Sequence, residues 1–403
     1  MTASLGRPAL IFLAFAFTYF LSALLRAVTA TLAPVFSAEL GLRAADLGLL
    51  AGAYFLGFAC MQLPLGAALD RFGPRRTLLV LLSVAVLGCV AFAMAPGLPT
   101  LIAARVLIGA GVASCLMAPL TLYRRIFSAA AQLRANSWML MTGSLGMVAS
   151  TLPVQALLPH TGWRGLFWLI AGLLLLGMVI IRLLVPHDTP AGPPQVAGSQ
   201  SYSGIARHPM FVRMAPLGFF LYGGMIAVQS LWAGPWLTRV AGQSPATAAL
   251  GLFAINLSML VAFLSWGLLM PRLVHRGFDA ARLMTLGVPL ALALTFGNAW
   301  LGADAGAGHW ALWCVASSFV SLSQPAVGAA FPLAQAGRAL SAFNLVIFSG
   351  VFALQWGIGL LIDLLRAFGT GEADAYRAAF AMLGICCLAS YGWFVAPRPV
   401  LNP

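Results

Sequence analysis

The chain contains no lysine and only nine carboxylates in 403 residues, and charged side chains make up 8% of it. A soluble domain carries about 25% charged residues, so this chain cannot cover a water-facing surface. The six cysteines (Cys60, Cys89, Cys115, Cys314, Cys386, Cys387) show no metal-ligand spacing with histidine, and two of them are adjacent. They read as small apolar packing residues, which leaves neither a metal site nor a disulfide framework. No phosphate-binding glycine loop and no nucleophile–base pair is present, so ATP use, a cofactor and enzymatic catalysis are all unsupported. The formal charge of +13 does not point to nucleic acid either. All 22 basic residues are arginines, scattered in ones to threes between apolar runs rather than gathered on one soluble face.

What the chain does have is apolar length, with 61% hydrophobic residues. A bilayer core of about 30 Å needs roughly 20 apolar residues per helix. Twelve such runs occur, near 9–36, 46–69, 77–96, 99–122, 135–158, 165–186, 211–237, 246–270, 281–302, 309–333, 339–365 and 376–396. The first is too long for a signal-peptide core and reads as a retained span. The expected fold is all-α: a polytopic membrane protein of twelve transmembrane helices in two pseudo-symmetric six-helix bundles.

With both termini on the cytoplasmic side, that side receives fifteen arginines and the opposite side five, leaving Arg26 and Arg105 inside the bilayer. The excess favours this orientation in the cytoplasmic (inner) membrane. The stretch "VPHDTPAGPPQVAGSQSYSGIARHP" is rich in Pro, Gly and Ser and reads as a tether. The expected units are therefore 1–186, a cytoplasmic linker at 187–209, and 210–403. "GAALDRFGPRR" after span 2 is weakly echoed by "GLLMPRLVHRG" after span 8, and "AQLRANSW" before span 5 by "AQAGRALSAFN" before span 11. Such repeats are common in secondary transporters, which place their substrate between the halves.

"GAALDRFGPRR" also resembles the loop between helices 2 and 3 of the major facilitator superfamily, with Gly66, Asp70, Arg71, Gly73, Arg75 and Arg76 all matching. Physically, Gly66 would let another helix approach, and Asp70 at a helix end can accept from a neighbouring N-terminus or an arginine. The resemblance implies that this loop latches helix 2 against helix 11 and sets the balance between outward- and inward-open states. The second copy has Pro271 in place of Asp70, so that half is expected to lack the latch. "RVLIGAGVAS" resembles the family's helix-4 motif, which gives Arg105 and Gly109 a conformational role; the alternative is that Arg105 snorkels to the interface. "GWRGLF" resembles a superfamily junction between helices 5 and 6. Drug/proton antiporters of the superfamily usually carry a Gly-Pro pair in helix 5, absent from "TGSLGMVASTLP" here.

Arg26 is the costliest residue in the chain, since an arginine at mid-span costs about 2.5–3.5 kcal/mol on insertion scales. At 100° per residue Tyr19, Ser22, Arg26 and Thr29 share one face, with Thr18 beside them. That face must look into protein or a water-filled cavity. All nine carboxylates fall in loops or at span ends, so none is placed to neutralise Arg26 at mid-membrane. Either Arg26 snorkels to the far interface, or its counter-charge arrives as an anionic substrate, which a planar five-donor guanidinium suits. The "R-x7-P" spacing resembles helix 1 of the organophosphate:phosphate antiporters and the anion:cation symporters, in which this arginine binds substrate. Helix 7 lacks the second arginine of the phosphate antiporters, which points to a small organic anion of the monocarboxylate type.

Further cavity candidates are Tyr54, Trp138, Tyr222, Gln229, Trp232, Asn256 and Asn344, each of which can equally serve as an interhelical contact. With no mid-span acid, coupling reduces to anion exchange, a proton carried with the substrate, or facilitated diffusion, with Asp46 a peripheral proton candidate. The expected protein is a monomeric alternating-access carrier of a small organic anion. The competing expectation is an efflux carrier for drugs or amphipathic compounds.

Overall fold

The computed structural model describes residues 6–187 and 202–396. Residues 188–201 of the expected linker, with Asp188, and Arg398 near the C-terminus lie outside the described residues. Among the described residues every regular element is helical. We number the spans α1 (Arg7–Leu40), α2 (Ala44–Phe72), α3 (Pro74–Ala93), α4 (98–126), α5 (129–161), α6 (163–184), α7 (209–240), α8 (Pro245–His275), α9 (Ala280–Leu301), α10 (307–329), α11 (Leu333–Ala367) and α12 (Glu372–Val395). The face bearing the α2–α3 loop and the linker is called the linker side below, and the opposite face the far side.

Among the described residues ten helices are long and apolar enough to cross a membrane. The other two spans, α5 and α10, are interrupted, the first by a break at Ser150–Thr151 and the second by a 3-10 turn at Ser318–Leu322. The break in α5 frees the Ser150 carbonyl, which accepts the Thr31 hydroxyl of α1 at 2.8 Å. Gly162, at φ 61° and ψ 175°, then kinks the chain out of helical geometry and turns α5 into α6. Next to it Trp163 and Arg164 donate to the two oxygens of Glu39 at 2.7 and 2.6 Å, tying α6 to the far end of α1. The Glu39–Arg164 ion pair is exposed, so it contributes at most about 1 kcal/mol. α7 departs most from ideal geometry, with three π-helical stretches between Leu217 and Val240. Glycines and prolines interrupt it, and Gly234 brings it against the Ala30 carbonyl of α1, 2.5 Å from where a Cβ would stand.

Close backbone approach is the main cohesive device, as expected where lipid removes the hydrophobic drive between helices. Within the first bundle, Gly109 of α4 lies against the Tyr54 carbonyl and Gly57 of α2 against the Val106 carbonyl. Gly143 and Gly146 seat α5 on Tyr19 and Phe20 of α1. Between the bundles, Gly48 and Gly52 of α2 meet Gln355 and Phe352 of α11, and Gly359 of α11 meets Ala44. These contacts seal the far side.

Candidate functional site

Arg26 sits in the middle of α1, at the face turned toward the second bundle. Its guanidinium lies 5.7 Å from the centre of the Phe58 ring of α2. Tyr19, Tyr54 and Tyr222 are the polar groups that interact with it electrostatically, and Tyr222 comes from α7 across the bundle interface. Its Nε–H is sealed from solvent and has no acceptor. Among the described residues no carboxylate forms an ion pair with it. The residue as a whole is part-buried, with its guanidinium lying between Phe58 and the three tyrosines. An unmet buried donor costs about 1–3 kcal/mol, more when charged; the Arg105 Nε–H is unmet in the same way, and the hydroxyls of Tyr54 and Tyr19 stand close to the Arg26 guanidinium.

Tyr54 organises the surroundings. Its hydroxyl donates to the Ser22 carbonyl at 3.2 Å, its ring centre lies 5.2 Å from the Arg105 guanidinium, and it stacks on Phe58 and meets Phe55 edge-on. Ser22 and Tyr19 are buried, Ser22 against the Cys115 thiol of α4. Thr18 and Thr29, placed by periodicity on the same stripe, do not enter this space. Thr18 packs on Gly177 of α6, and Thr29 accepts from Arg105.

Arg105 corrects one alternative outright: it is not an interfacial snorkeller but 1% exposed. It donates to the Leu25 carbonyl at 3.0 Å and the Thr29 hydroxyl at 2.6 Å, and so holds the α1 turn that carries Arg26. Gly66 is corrected too, because a Cβ there would meet nothing within 4 Å. No helix presses on it, and the close approach on α2 occurs instead at Gly48, Gly52 and Gly57. In the same loop Gly73 has φ 82°, which glycine adopts freely, and turns α2 into α3 in a single residue. Arg75 is buried and donates to the Arg182 carbonyl of α6 at 2.6 Å. Arg71 and Arg76 both lie over the Phe72 ring, and Asp70 is exposed.

In the second bundle the candidate polar residues are already engaged with one another. Gln229 donates to Asn256 Oδ1 at 2.9 Å, joining α7 to α8. Gln324 of α10 donates to Asn344 of α11 at 2.5 Å. Gln355 donates to the Ser230 hydroxyl at 2.9 Å, and the fully buried Trp232 donates to the Gln355 carbonyl at 3.2 Å. Trp138 is 54% exposed, near the linker-side start of α5, edge-on to Phe12. Asp46 is spent locally: it accepts the Arg43 N–H at 3.0 Å and so caps the start of α2. Gln229→Leu is expected to cost about 0.6 kcal/mol of stability and leave substrate affinity unchanged; a thermal melt with and without ligand measures both.

Sequence reasoning missed Phe58 and Phe348, whose rings meet at 4.6 Å across the bundles beside Arg26. Phe58 was within reach, lying one turn after Tyr54 on the same face of α2. It also missed a far-side pocket of about 120 Å³ between the bundles, lined by Pro34, Ser37, Arg43, Arg239, Arg366 and Glu372 among others. Glu372 stands 4.0 and 3.9 Å from Arg239 and Arg366.

The family model of the Major Facilitator Superfamily matches residues 15–355. The chain belongs to the major facilitator superfamily. The family is one of membrane-embedded secondary transporters, not of enzymes. It is similar to an uncharacterised MFS-type transporter, Rv1250, of Mycobacterium tuberculosis, at 30% identity over 175 residues; these cover 42% of this chain but only 29% of that relative. Among solved structures it resembles a bacterial homologue of the human lysosomal transporter Spinster in two inward-facing forms. The unoccupied form has a TM-score of 0.75 at 18% identity and the occupied form 0.76 at 17%, each covering 97% of both chains. A D-xylose–proton symporter superposes with a TM-score of 0.72 at 16% identity over 96% of each chain. At these identities the likeness carries the twelve-helix, two-bundle fold of the superfamily transporters.

Proposed function

We propose that this superfamily transporter moves a small organic anion of the monocarboxylate type, with Arg26 as the anion anchor. One observation carries the reading: a guanidinium in the middle of α1, between the bundles and only part-buried there, with no ion-pairing carboxylate among the described residues. Tyr19, Tyr54 and Tyr222 add hydroxyls around the same charge. Ser22 presents its backbone carbonyl to Tyr54, and its own hydroxyl is buried without a hydrogen-bond partner among the described residues, beside the same group of side chains. Gln229, Trp232, Asn256 and Asn344 are committed to interhelical bonds and support the wall. A cationic drug would need a buried negative charge here, and every described carboxylate lies at a helix end or in a loop.

The bundles spanning 1–186 and 210–403 are the rocking units, joined by the linker at 187–209. The orientation we adopt puts both termini in the cytoplasm and the far side outside the cell membrane. Arg105 fixes the α1 turn bearing Arg26, while Asp70, Arg71, Arg75 and Arg76 belong to the linker-side latch. Coupling runs through a co-transported proton or a counter-anion. Thermal-shift screening of the purified protein against carboxylates, phosphate esters and organic cations tests the reading. Stabilisation by monocarboxylates is the expected result, and stabilisation by cations alone defeats it.

A further inference from the structure

Asp363 stands near the far-side end of α11, and its Oδ2 accepts the backbone N–H of Ala45, 2.9 Å away. Ala45 lies in the first turn of α2, which belongs to the other bundle. A helix start has N–H groups without intrahelical partners and the positive end of the helix dipole, so a carboxylate binds there favourably. This cap comes from a residue more than three hundred positions away in the chain, and it crosses the interface whose opening and closing constitutes transport.

The surrounding contacts are as close as the bond itself. A Cβ on Gly359, one turn before Asp363, would stand 2.3 Å from the Ala44 carbonyl, and one on Gly48 would stand 2.2 Å from the Gln355 carbonyl. Backbone therefore meets backbone directly beneath the cap. Any movement that admits solute from the far side has to part these surfaces and break the Ala45–Asp363 bond.

α2 and α11 run antiparallel, so the pair has a carboxylate and a helix N-terminus at each end. At the linker-side end the carboxylate is Asp70, on α2, and the N-terminus belongs to α11, which begins after Pro332 with no side-chain cap. There Asp70 is exposed and, among the described residues, makes no hydrogen bond or ion pair. One end of the helix pair is capped across the interface while the other is not.

We propose that Asp363 is the far-side latch of the transport cycle, holding that mouth shut by capping α2, and that it releases when the carrier opens to the far side. The proposal needs only the carrier cycle and stands whether or not Arg26 holds an anion. Hydrogen–deuterium exchange of the purified full-length protein tests it, comparing wild type, Asp363→Ala, Asp363→Asn and Asp70→Asn. Losing the cap is expected to speed amide exchange about three- to tenfold in 44–52 and 355–363 for Asp363→Ala. Asp363→Asn, which keeps a neutral acceptor, is expected to give a smaller rise, and Asp70→Asn none at that end. Unchanged far-side exchange in both Asp363 variants overturns the proposal. An equal rise in 98–112, inside the first bundle, also overturns it, because the residue would then be a general structural support. If Asp363→Ala does not yield folded protein, Asp363→Asn is judged by the same two criteria.

Discussion

Arg26→Ala is expected to abolish binding and flux of the anion while leaving the protein folded. An arginine donating to a carboxylate does so through charge-assisted bonds of about 1.5–3 kcal/mol each. Losing a two-point contact should therefore weaken affinity by about 100-fold or more. Stability should change little, because the side chain now carries an unmet buried donor, and deleting it removes a desolvation cost along with some packing on Phe58. Arg26→Lys keeps the charge but not the fork and should fall between the two. The measurement is a ligand-induced thermal shift paired with flux in proteoliposomes. Normal uptake by Arg26→Ala would remove the substrate class argued above, though not the carrier assignment.

The second large effect comes from adding one small side chain in two different places. Gly109→Val puts a Cβ 1.9 Å from the Tyr54 carbonyl, inside a single bundle. Overpacking typically costs about 1–3 kcal/mol, and here the obstacle is backbone, which does not rotate away. α4 would leave α2, and with it would go the bonds from Arg105 to Leu25 and Thr29. We expect no monodisperse protein, or a melting temperature lowered by many degrees.

Gly48→Val places its Cβ 2.2 Å from the Gln355 carbonyl, but across the bundle interface. Each bundle keeps its own packing, so the protein should fold and still bind ligand. The far side cannot close, and net flux should drop to background. Equal loss of folding in both variants, or normal flux in Gly48→Val, would contradict this separation of structural from gating glycines.

Much of this was legible before any coordinates. Hydropathy runs alone marked twelve crossings, and the Asp70–Arg76 loop with the echo between halves pointed to the superfamily. The isolation of Arg26 was legible for a different reason, since counting nine carboxylates and finding each in a loop or at a span end requires no geometry. What periodicity could not supply was the identity of the neighbour. Thr29 and Arg26 share a face of α1, yet one is met by Arg105 and the other by tyrosines from three helices. Gln229 and Asn344 looked like cavity residues because both are polar and mid-span, but each had a partner helix within hydrogen-bonding reach.

Gly66 failed for the same reason: a small residue permits close approach without ensuring that anything comes. The cap on α2 lay further still from view. Asp363 read as one more span-end acid, and only folding brought it to Ala45.

The amino-acid order by itself marked twelve apolar runs long enough to span a membrane and placed Arg26 inside one of them, with no carboxylate at the middle of any run. Both follow from local hydrophobicity and from which residues are absent. The tertiary structure decided which glycines became contacts, which polar groups spent themselves on neighbouring helices, and which end of the α2–α11 pair is shut. Those depend on how helices meet across distances that no pattern along one strand of sequence encodes.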